Sequence, residues 1–202
     1  SGDRGSFSGR GGRGGFRNNA AGRRGRGGNQ EASFLIWCLN SAVSFVPVAE
    51  QVDAQIEKTV QVVPTRSIPE GFASLLAFDP KTDAENNLAP MKEAAGQVMP
   101  GEVTRAVRDS ETTVGKVEEG DWIGLDRDGV CVISKSITEA AIGLLDKILE
   151  PDHELVTVIT GEESDDDHTE EISKWLEENK QDIEIEVHSG GQPLYPYYFG
   201  VE

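Results

Sequence analysis

Strand-like and helix-like segments alternate through the chain from residue 47 onward. Short runs rich in β-branched residues predict strands at 60–64, 102–109, 122–125, 130–134, 155–160 and 183–187. Apolar residues at helical spacing predict helices at 47–58, 71–78, 83–98, 136–148 and 169–179. Because each element must bury its apolar face against another layer, the alternation predicts an α/β fold, a layered sheet with helices on its faces.

Local signals refine this outline. The turn residues Asp-Arg-Asp-Gly at 126–129 join two strand-like segments and predict a β-hairpin insertion. Ser136 with Glu139 three positions later is a capping-box pattern. Pro90 lies inside the helix-like segment 83–98 and predicts a break or a kink there. Ile and Val alternate with Glu over 183–187, which is typical of a strand near the edge of a sheet.

The charge of the chain is unevenly distributed. Its 202 residues carry a formal net charge of -17, with 19 Lys and Arg against 36 Asp and Glu. Seven Arg and eleven of the 23 Gly lie within residues 1–30, so residues 31–202 hold 12 basic and 35 acidic side chains. This acidic body argues against a wholly basic nucleic-acid-binding protein, and two Cys are too few for a disulfide-rich secreted scaffold.

Residues 1–30, the Arg/Gly tail, have low sequence complexity and are predicted to be disordered. Repeats of this kind resemble RGG boxes, which contact RNA through phosphates and stacking. An RNA-associated protein that binds through this tail is therefore the alternative function. The other interpretations are a non-specific cationic tail, or a sequence foreign to the body through fusion or a frame error.

Residues 31–46 form an apolar connector between the tail and the body. Its apolar run at 34–45 falls short of the roughly 18 to 20 residues that cross a bilayer, so no membrane span is predicted. A secretory signal peptide is the less favoured interpretation, because the segment before this run is too long and too rich in Gly.

The sequence contains no self-contained catalytic motif. It has no P-loop, no GxGxxG between a strand and a helix, and no GxSxG nucleophile elbow. Its three His and two Cys lack the spacing of metal ligands, so no metal site is predicted. Three Asp residues at 165–167 precede a predicted helix, and we interpret them as its acidic N-terminus rather than as Mg²⁺ ligands.

The triplet Gly190-Gly191-Gln192 follows a strand-like segment and precedes three Tyr residues. The same triplet occurs at the peptidyl-transferase end of peptide-release factors, but the body has no basic surface for a ribosomal partner. Two interpretations stay open. Paired glycines permit a tight turn with positive φ, or they let a partner approach the backbone while the Tyr side chains anchor it.

Several stretches in one order resemble the C-terminal domain of the bacterial fatty acid kinase catalytic subunit. That family comprises YloV-like, DAK2-domain proteins related to dihydroxyacetone kinases. The stretches are VVPTRSIPEG (62–71), AFDP (77–80), NNLAPM (86–91), EVTRAVRD (102–109), GDWIG (120–124), HSGGQPLY (188–195) and the final VE. The resemblance covers residues 48–202, and it divides the chain into the tail (1–30), the connector (31–46) and this domain (47–202).

The resemblance implies a DegV-like α/β fold in a cytoplasmic bacterial system. In that system a kinase protein phosphorylates the carboxylate of a fatty acid held by a separate DegV-like binding protein, and the C-terminal domain helps to engage this partner. ATP and Mg²⁺ belong to the family's N-terminal helical domain, so no cofactor is expected in this chain. Because that kinase domain is expected to be missing, the chain alone is not expected to be active, and a homodimer stays an open alternative.

The candidate partner- or ligand-binding residues lie at strand ends and in loops, where α/β sheets place their sites. The Arg side chains among them suit an acidic group of a partner or a phosphate, or else a local ion pair with a neighbouring carboxylate. The candidates are Thr65, Arg66, Arg108, Asp109, Gly161, Glu162, Gly190, Gly191, Gln192 and Tyr195. No residue is predicted to be catalytic.

Overall fold

The computed structural model of the chain describes residues 33–36, 60–180 and 182–202. The predictions for the Arg/Gly tail, for most of the connector 31–46 and for the helix at 47–58 lie outside these residues. None of the helices in the described ranges has the length and apolar character that crossing a membrane requires.

The described ranges contain ten strands and four helices. The strands are β1 (Ser33–Ile36), β2 (Val60–Val63), β3 (Met99–Arg105), β4 (Ser110–Thr112), β5 (Gly115–Val117), β6 (Trp122–Asp126), β7 (Gly129–Ser134), β8 (Leu155–Thr160), β9 (Glu184–Ser189) and β10 (Tyr197–Val201). The helices are α1 (Ile68–Leu76), α2 (Ala84–Gln97), α3 (Ile137–Ile148) and α4 (Asp166–Asn179).

Six strands form a central sheet in the order β7-β6-β3-β10-β8-β9. Neighbouring strands are antiparallel except β8 and β9, which are parallel. The strands β1 and β2 form a separate parallel pair, and β4 with β5 forms a small hairpin. The predicted α/β fold with a layered sheet is therefore confirmed. The hairpin predicted around residues 126–129 is β6–β7, and it extends the central sheet to one of its edges.

The strand β10 lies at the centre of the sheet, and the sequence did not reveal it. The aromatic and β-branched run Tyr197–Val201 follows Pro196 and is buried along its whole length. Proline directly before a strand is compatible with pairing, since no ladder donor is needed there. Tyr197 and Tyr198, which one interpretation assigns as anchors for a partner, are core residues with 0% and 5% of their surface exposed.

The helix α2 and the strand β3 each differ from their predictions. The helix α2 continues through Pro90, which lies on an exposed face where the carbonyl that loses its donor can be hydrated. The strand β3 ends at Arg105 rather than at residue 109. Ala106 still donates its N–H to the Asp121 carbonyl, next to β6, but residues 107–109 belong to no strand. Val107 is consequently 82% exposed.

The core lies between the central sheet and the helices packed on it. The helix α3 contributes Leu144 and Leu145, which are fully buried against sheet residues such as Val103 and Phe199. A second, smaller cluster joins β2 to α2 through Val63, Met91 and Ala95. On the sheet, a Cβ at Gly200 would lie 2.8 Å from the Pro69 Cβ, so the start of α1 packs directly on β10.

Candidate functional site

Six of the candidate residues lie together where β8 and β9 end. We call the two segments that contain them, residues 161–165 and 190–196, the glycine loops. The Gln192 side-chain amide donates to the carbonyl oxygens of Ile159 at 3.2 Å and Tyr195 at 3.0 Å. The Glu162 N–H donates to the Gln192 carbonyl at 3.0 Å. The six residues are Gly161, Glu162, Gly190, Gly191, Gln192 and Tyr195.

Close packing explains two of these glycines, against backbone atoms at Gly161 and against side chains at Gly190. A Cβ at Gly161 would lie 2.2 Å from the Tyr195 carbonyl oxygen and 2.6 Å from that of Gln192. A Cβ at Gly190 would lie 2.2 Å from the Gln192 Oε1 atom. Gly191 has φ of 63°, which is the turn conformation that glycine adopts without cost. The triplet Gly190-Gly191-Gln192 therefore packs one loop against the other. The Gln192 side-chain amide donates its hydrogen bonds within these loops and β8.

Leu194 is the apolar residue that the glycine loops expose. It is 64% exposed and has φ of 69°, a left-handed conformation that is uncommon for a residue with a branched side chain. The Thr104 hydroxyl donates to the Leu194 carbonyl at 2.6 Å, and the Tyr195 ring stacks on Tyr198 with centroids 5.1 Å apart. These contacts hold the loop in this conformation.

Arg108 and Asp109 follow β3, at the same end of the sheet as the glycine loops. Both residues are exposed, and the Asp109 carboxylate accepts the Glu119 N–H at 2.8 Å. No hydrogen bond or ion pair among the described residues joins them to the glycine loops. The neighbouring Arg105 guanidinium instead lies over the Trp122 ring, 5.6 Å from its centroid, and donates to the Gly120 carbonyl.

The same end of the sheet contains a buried carboxylate. Asp121 accepts hydrogen bonds from the Lys135 ammonium and from the Glu118 N–H. The Lys135 hydrogen bond, followed by that from Glu118, lowers the pKa of Asp121 below its usual value. The hydrogen bonds to Asp121 and then to the Glu118 carboxylate raise the pKa of Lys135. Lys135 is itself 73% exposed, so this pair fastens the loop between β5 and β6 from the solvent side.

Thr65 and Arg66 follow β2, and a capping box closes the loop that contains them. Thr65 is buried and Arg66 is exposed. Glu70 accepts the N–H groups of Arg66 and Ser67 through Oε2, while the Ser67 hydroxyl accepts the Glu70 N–H. Ser-x-x-Glu with Pro69 in the first turn is a sequence signal for a helix start. It therefore places the start of α1 at Ile68, before the predicted start at 71.

A cleft of about 270 Å³ opens beside this loop, and we call it the cationic cleft. Glu70 contacts Arg127 through Oε1 at 3.1 Å, and Arg127 also donates to the Val98 carbonyl at 2.7 Å. Because Arg127 lies in the β6–β7 turn, the cleft is at the opposite end of the sheet from the glycine loops. The lining residues are Val63, Pro64, Arg66, Glu70, Lys92, Ala95, Gly96 and Arg127.

The helix α1 exposes an apolar face. Phe72 is 59% exposed, Leu75 51% and Leu76 87%, whereas the opposite face packs Ala73 and Ser74 inward. These three residues, the α1 apolar face, lie at i, i+3 and i+4 and so share one side of the helix. Contiguous exposed apolar residues are typical of surfaces that another molecule covers.

Comparison with known proteins identifies the domain. The sequence matches the FakA-like C-terminal family, which is the C-terminal domain of fatty acid kinase and its relatives, over residues 36–202. The chain belongs to this family. It is 33% identical over 167 residues to the protein YloV of Bacillus subtilis, covering 83% of this chain and 30% of that protein. A Staphylococcus epidermidis protein is 36% identical over 154 residues, covering 76% of this chain and 28% of that protein.

The chain thus spans less than a third of the length of the curated relatives that it matches. Solved structures share its fold at low sequence identity. A DegV family protein of Corynebacterium glutamicum has a TM-score of 0.60 at 9% identity, over 85% of this chain and 74% of that one. The dihydroxyacetone kinase of C. freundii, in complex with AMP-PNP and Mg²⁺, has a TM-score of 0.55 at 13% identity, over 84% and 38%. The fold of this FakA-like C-terminal domain is therefore DegV-like.

Two features of the FakA-like C-terminal domain are not evident in its sequence. The spacing of Phe72, Leu75 and Leu76 predicts a buried helix stripe, whereas all three side chains are exposed. Periodicity does not reveal which side of a short helix meets the sheet. Lys92 and Arg127 are distant from Arg66 in the sequence, and only the fold brings the three residues together. In the described ranges, no group of three or more His, Cys, Asp or Glu is arranged to hold a metal ion.

Proposed function

We propose that this domain is the partner-binding part of a fatty acid kinase-like protein. It docks a DegV-like fatty-acid-binding protein so that a kinase domain outside this chain can phosphorylate the acyl carboxylate. The α1 apolar face is the observation that supports this proposal most strongly. Membership of the FakA-like C-terminal family supports the same system.

The α1 apolar face has the chemistry of a protein-docking surface. Full burial of a Phe or Leu side chain contributes roughly 1.5–3 kcal/mol, and about half or more of each of these side chains is still exposed to water. Such residues form the apolar centre of an interface, and polar residues at its rim exclude water from it.

The phosphoryl chemistry is assigned to a separate part of the protein. The matched relatives are more than three times as long as the region they share with this chain, which leaves room for a nucleotide-binding domain. ATP and Mg²⁺ would bind in that domain, in the cytoplasm where ATP is available. The role left to this domain is to hold the acyl-binding partner in position, which reduces the entropic cost of bringing the two reacting groups together.

Calorimetric titration of the chain with a DegV-like fatty-acid-binding protein, loaded with oleate, tests the proposal. Leu76→Glu, which introduces a charge at the most exposed residue of the α1 apolar face, is expected to weaken binding at least tenfold. Leu194→Glu is the matched control, because it makes the same change at an exposed Leu on the glycine loops. It is expected to change the dissociation constant less than about twofold.

Two outcomes would contradict this assignment. Equal losses of affinity in both variants would mean that the charge change, rather than the α1 apolar face, causes the effect. Tight binding by Leu76→Glu would place the partner elsewhere on the domain. Sedimentation of the free chain tests whether a second copy of the chain covers α1 instead of the DegV-like protein. A homodimer formed through α1 would dissociate in Leu76→Glu without any partner present.

A further inference from the structure

The cationic cleft concentrates positive charge on a strongly acidic body. Three of its lining side chains are cationic, Arg66, Lys92 and Arg127, and only Glu70 is anionic. Residues 31–202 contain 12 basic and 35 acidic side chains in total. The cleft is therefore a local patch of positive charge on an acidic body, and the mutual repulsion of its three cations disfavours such a cluster.

Glu70 neutralises only one of the three cations. Its Oε1 atom contacts Arg127 at 3.1 Å, while its Oε2 atom accepts the N–H groups of Arg66 and Ser67. Both of its oxygens are therefore occupied, and the side chain is only 7% exposed. Among the described residues, no hydrogen bond or ion pair engages the Arg66 guanidinium or the Lys92 ammonium. Two positive charges at the cleft therefore have no counter-charge within the part of the chain that the structure describes.

The shape and position of the cleft suit a small ligand. Its volume of about 270 Å³ lies just below the usual range for organic ligand pockets, and it follows the carboxyl end of the parallel strand β2. The carboxyl ends of strands in α/β folds are where ligands bind. On the α2 side of the cleft, Ala95 and Gly96 contribute little bulk, and Lys92 contributes a cation.

We propose that the cationic cleft is a binding site for the phosphoryl group of a small molecule. Arg66 and Lys92 supply the two uncompensated charges, and a phosphoryl dianion matches them, whereas a single carboxylate would neutralise only one. A guanidinium also presents paired N–H donors that fit phosphate oxygens. Arg127 also lines the cleft and is held there by Glu70 and by the Val98 carbonyl. This site does not depend on docking at the α1 apolar face.

Titration of the full chain with inorganic phosphate, pyrophosphate and acetate, followed by amide chemical shifts, tests the proposal. Saturable shifts at Gly96 and Arg127 are expected with phosphate and pyrophosphate, at dissociation constants of about 1 mM or below. The double variant Arg66→Gln with Lys92→Gln is expected to weaken both at least tenfold. The matched control is Lys81→Gln with Lys174→Gln, which removes two exposed cations outside the cleft and should change affinity less than about threefold.

Three results would overturn the proposal. The first is the absence of saturation at about 10 mM phosphate, ten times the expected dissociation constant. The second is an equal loss of affinity in the control, because net charge would then explain the binding. The third is acetate binding as tightly as phosphate, since the cleft would then be a carboxylate site. If docking to the DegV-like protein fails while phosphate still binds, only the proposed docking function is contradicted.

Discussion

The glycine loops differ from the loop after β2 in where their polar groups are used. In the glycine loops, the Gln192 amide and the N–H groups of Glu162 and Gly161 all bond to carbonyl oxygens within these loops and β8. In the loop after β2, Glu70 accepts the main-chain N–H groups, but the Arg66 side chain has no partner at the cleft among the described residues. The helix that follows then exposes Phe72, Leu75 and Leu76.

This difference shows that the most unusual stretch of the sequence is not the surface most available to another molecule. The triplet Gly190-Gly191-Gln192 is the more conspicuous feature of the sequence, yet its geometry is accounted for by packing within the domain. Arg66 and Leu76 are ordinary residues in the sequence, yet Arg66 presents its charge at the cleft and Leu76 exposes its apolar side chain. A loop whose polar groups are all bonded internally is a rigid element, whereas one that leaves side chains unpaired can bind at little cost in broken contacts.

The largest effect is expected for Gly161→Ala in the glycine loops. The added methyl group would lie 2.2 Å from one carbonyl oxygen and 2.6 Å from another, so the two loops must separate. We expect a loss of about 3 kcal/mol in the free energy of unfolding. Urea unfolding, followed by circular dichroism, measures this loss as a lower midpoint.

Gly96→Ala is the matched control, because a Cβ at that position meets nothing within 4 Å and the residue lies in α2. The control is expected to be neutral or to stabilise the domain by up to about 1 kcal/mol. If Gly161→Ala unfolded at the same urea concentration as the original chain, the glycine loops would be looser than their contacts indicate. The contrast with the loop after β2 would then disappear.

A smaller effect is expected at Glu70, which closes the loop after β2. Glu70→Ala removes the acceptor of two N–H groups and leaves Arg127 unpaired, at a cost of about 2 kcal/mol. Glu70→Gln is expected to cost about 1 kcal/mol, because an amide oxygen at this position still completes the capping box. Urea unfolding of the two variants measures the difference. Equal losses would mean that the ion pair with Arg127, and not the cap, holds this loop.

The sequence predicted those parts of the fold that depend on local pattern. The buried strand at 155–160, the hairpin around 126–129 and the acidic start of α4, where Asp165 caps the helix by accepting the His168 N–H, are all present. Each rests on residues that are close in the chain. A pattern of this kind reports periodicity and turn chemistry, which local structure obeys.

Features that depend on distant contacts could not be predicted in this way. The strand β10 is central because β3 and β8 pair on both its sides, and both partners are far from it in the sequence. The cationic cleft requires β2, α2 and the β6–β7 turn to meet, and no spacing between Arg66 and Arg127 encodes that meeting. The sequence predicts that the residues of the α1 apolar face are buried in the core. Helical periodicity identifies an apolar stripe but does not show what covers it.

The smallest effect is expected at Asp121, in the loop that neighbours the glycine loops. Because the folded state lowers the pKa of Asp121, its contribution to stability is present above the usual aspartate pKa and is lost as pH falls below about 4. Unfolding measured between neutral and acid pH should therefore show a steeper loss of stability in the original chain than in Asp121→Asn. Lys135 is largely exposed, so this pH-dependent part is expected to be smaller than the effects at Gly161 and Glu70. Superimposable pH profiles would show that Asp121 has no net electrostatic role, and that its hydrogen bond from the Glu118 N–H is what fastens the loop.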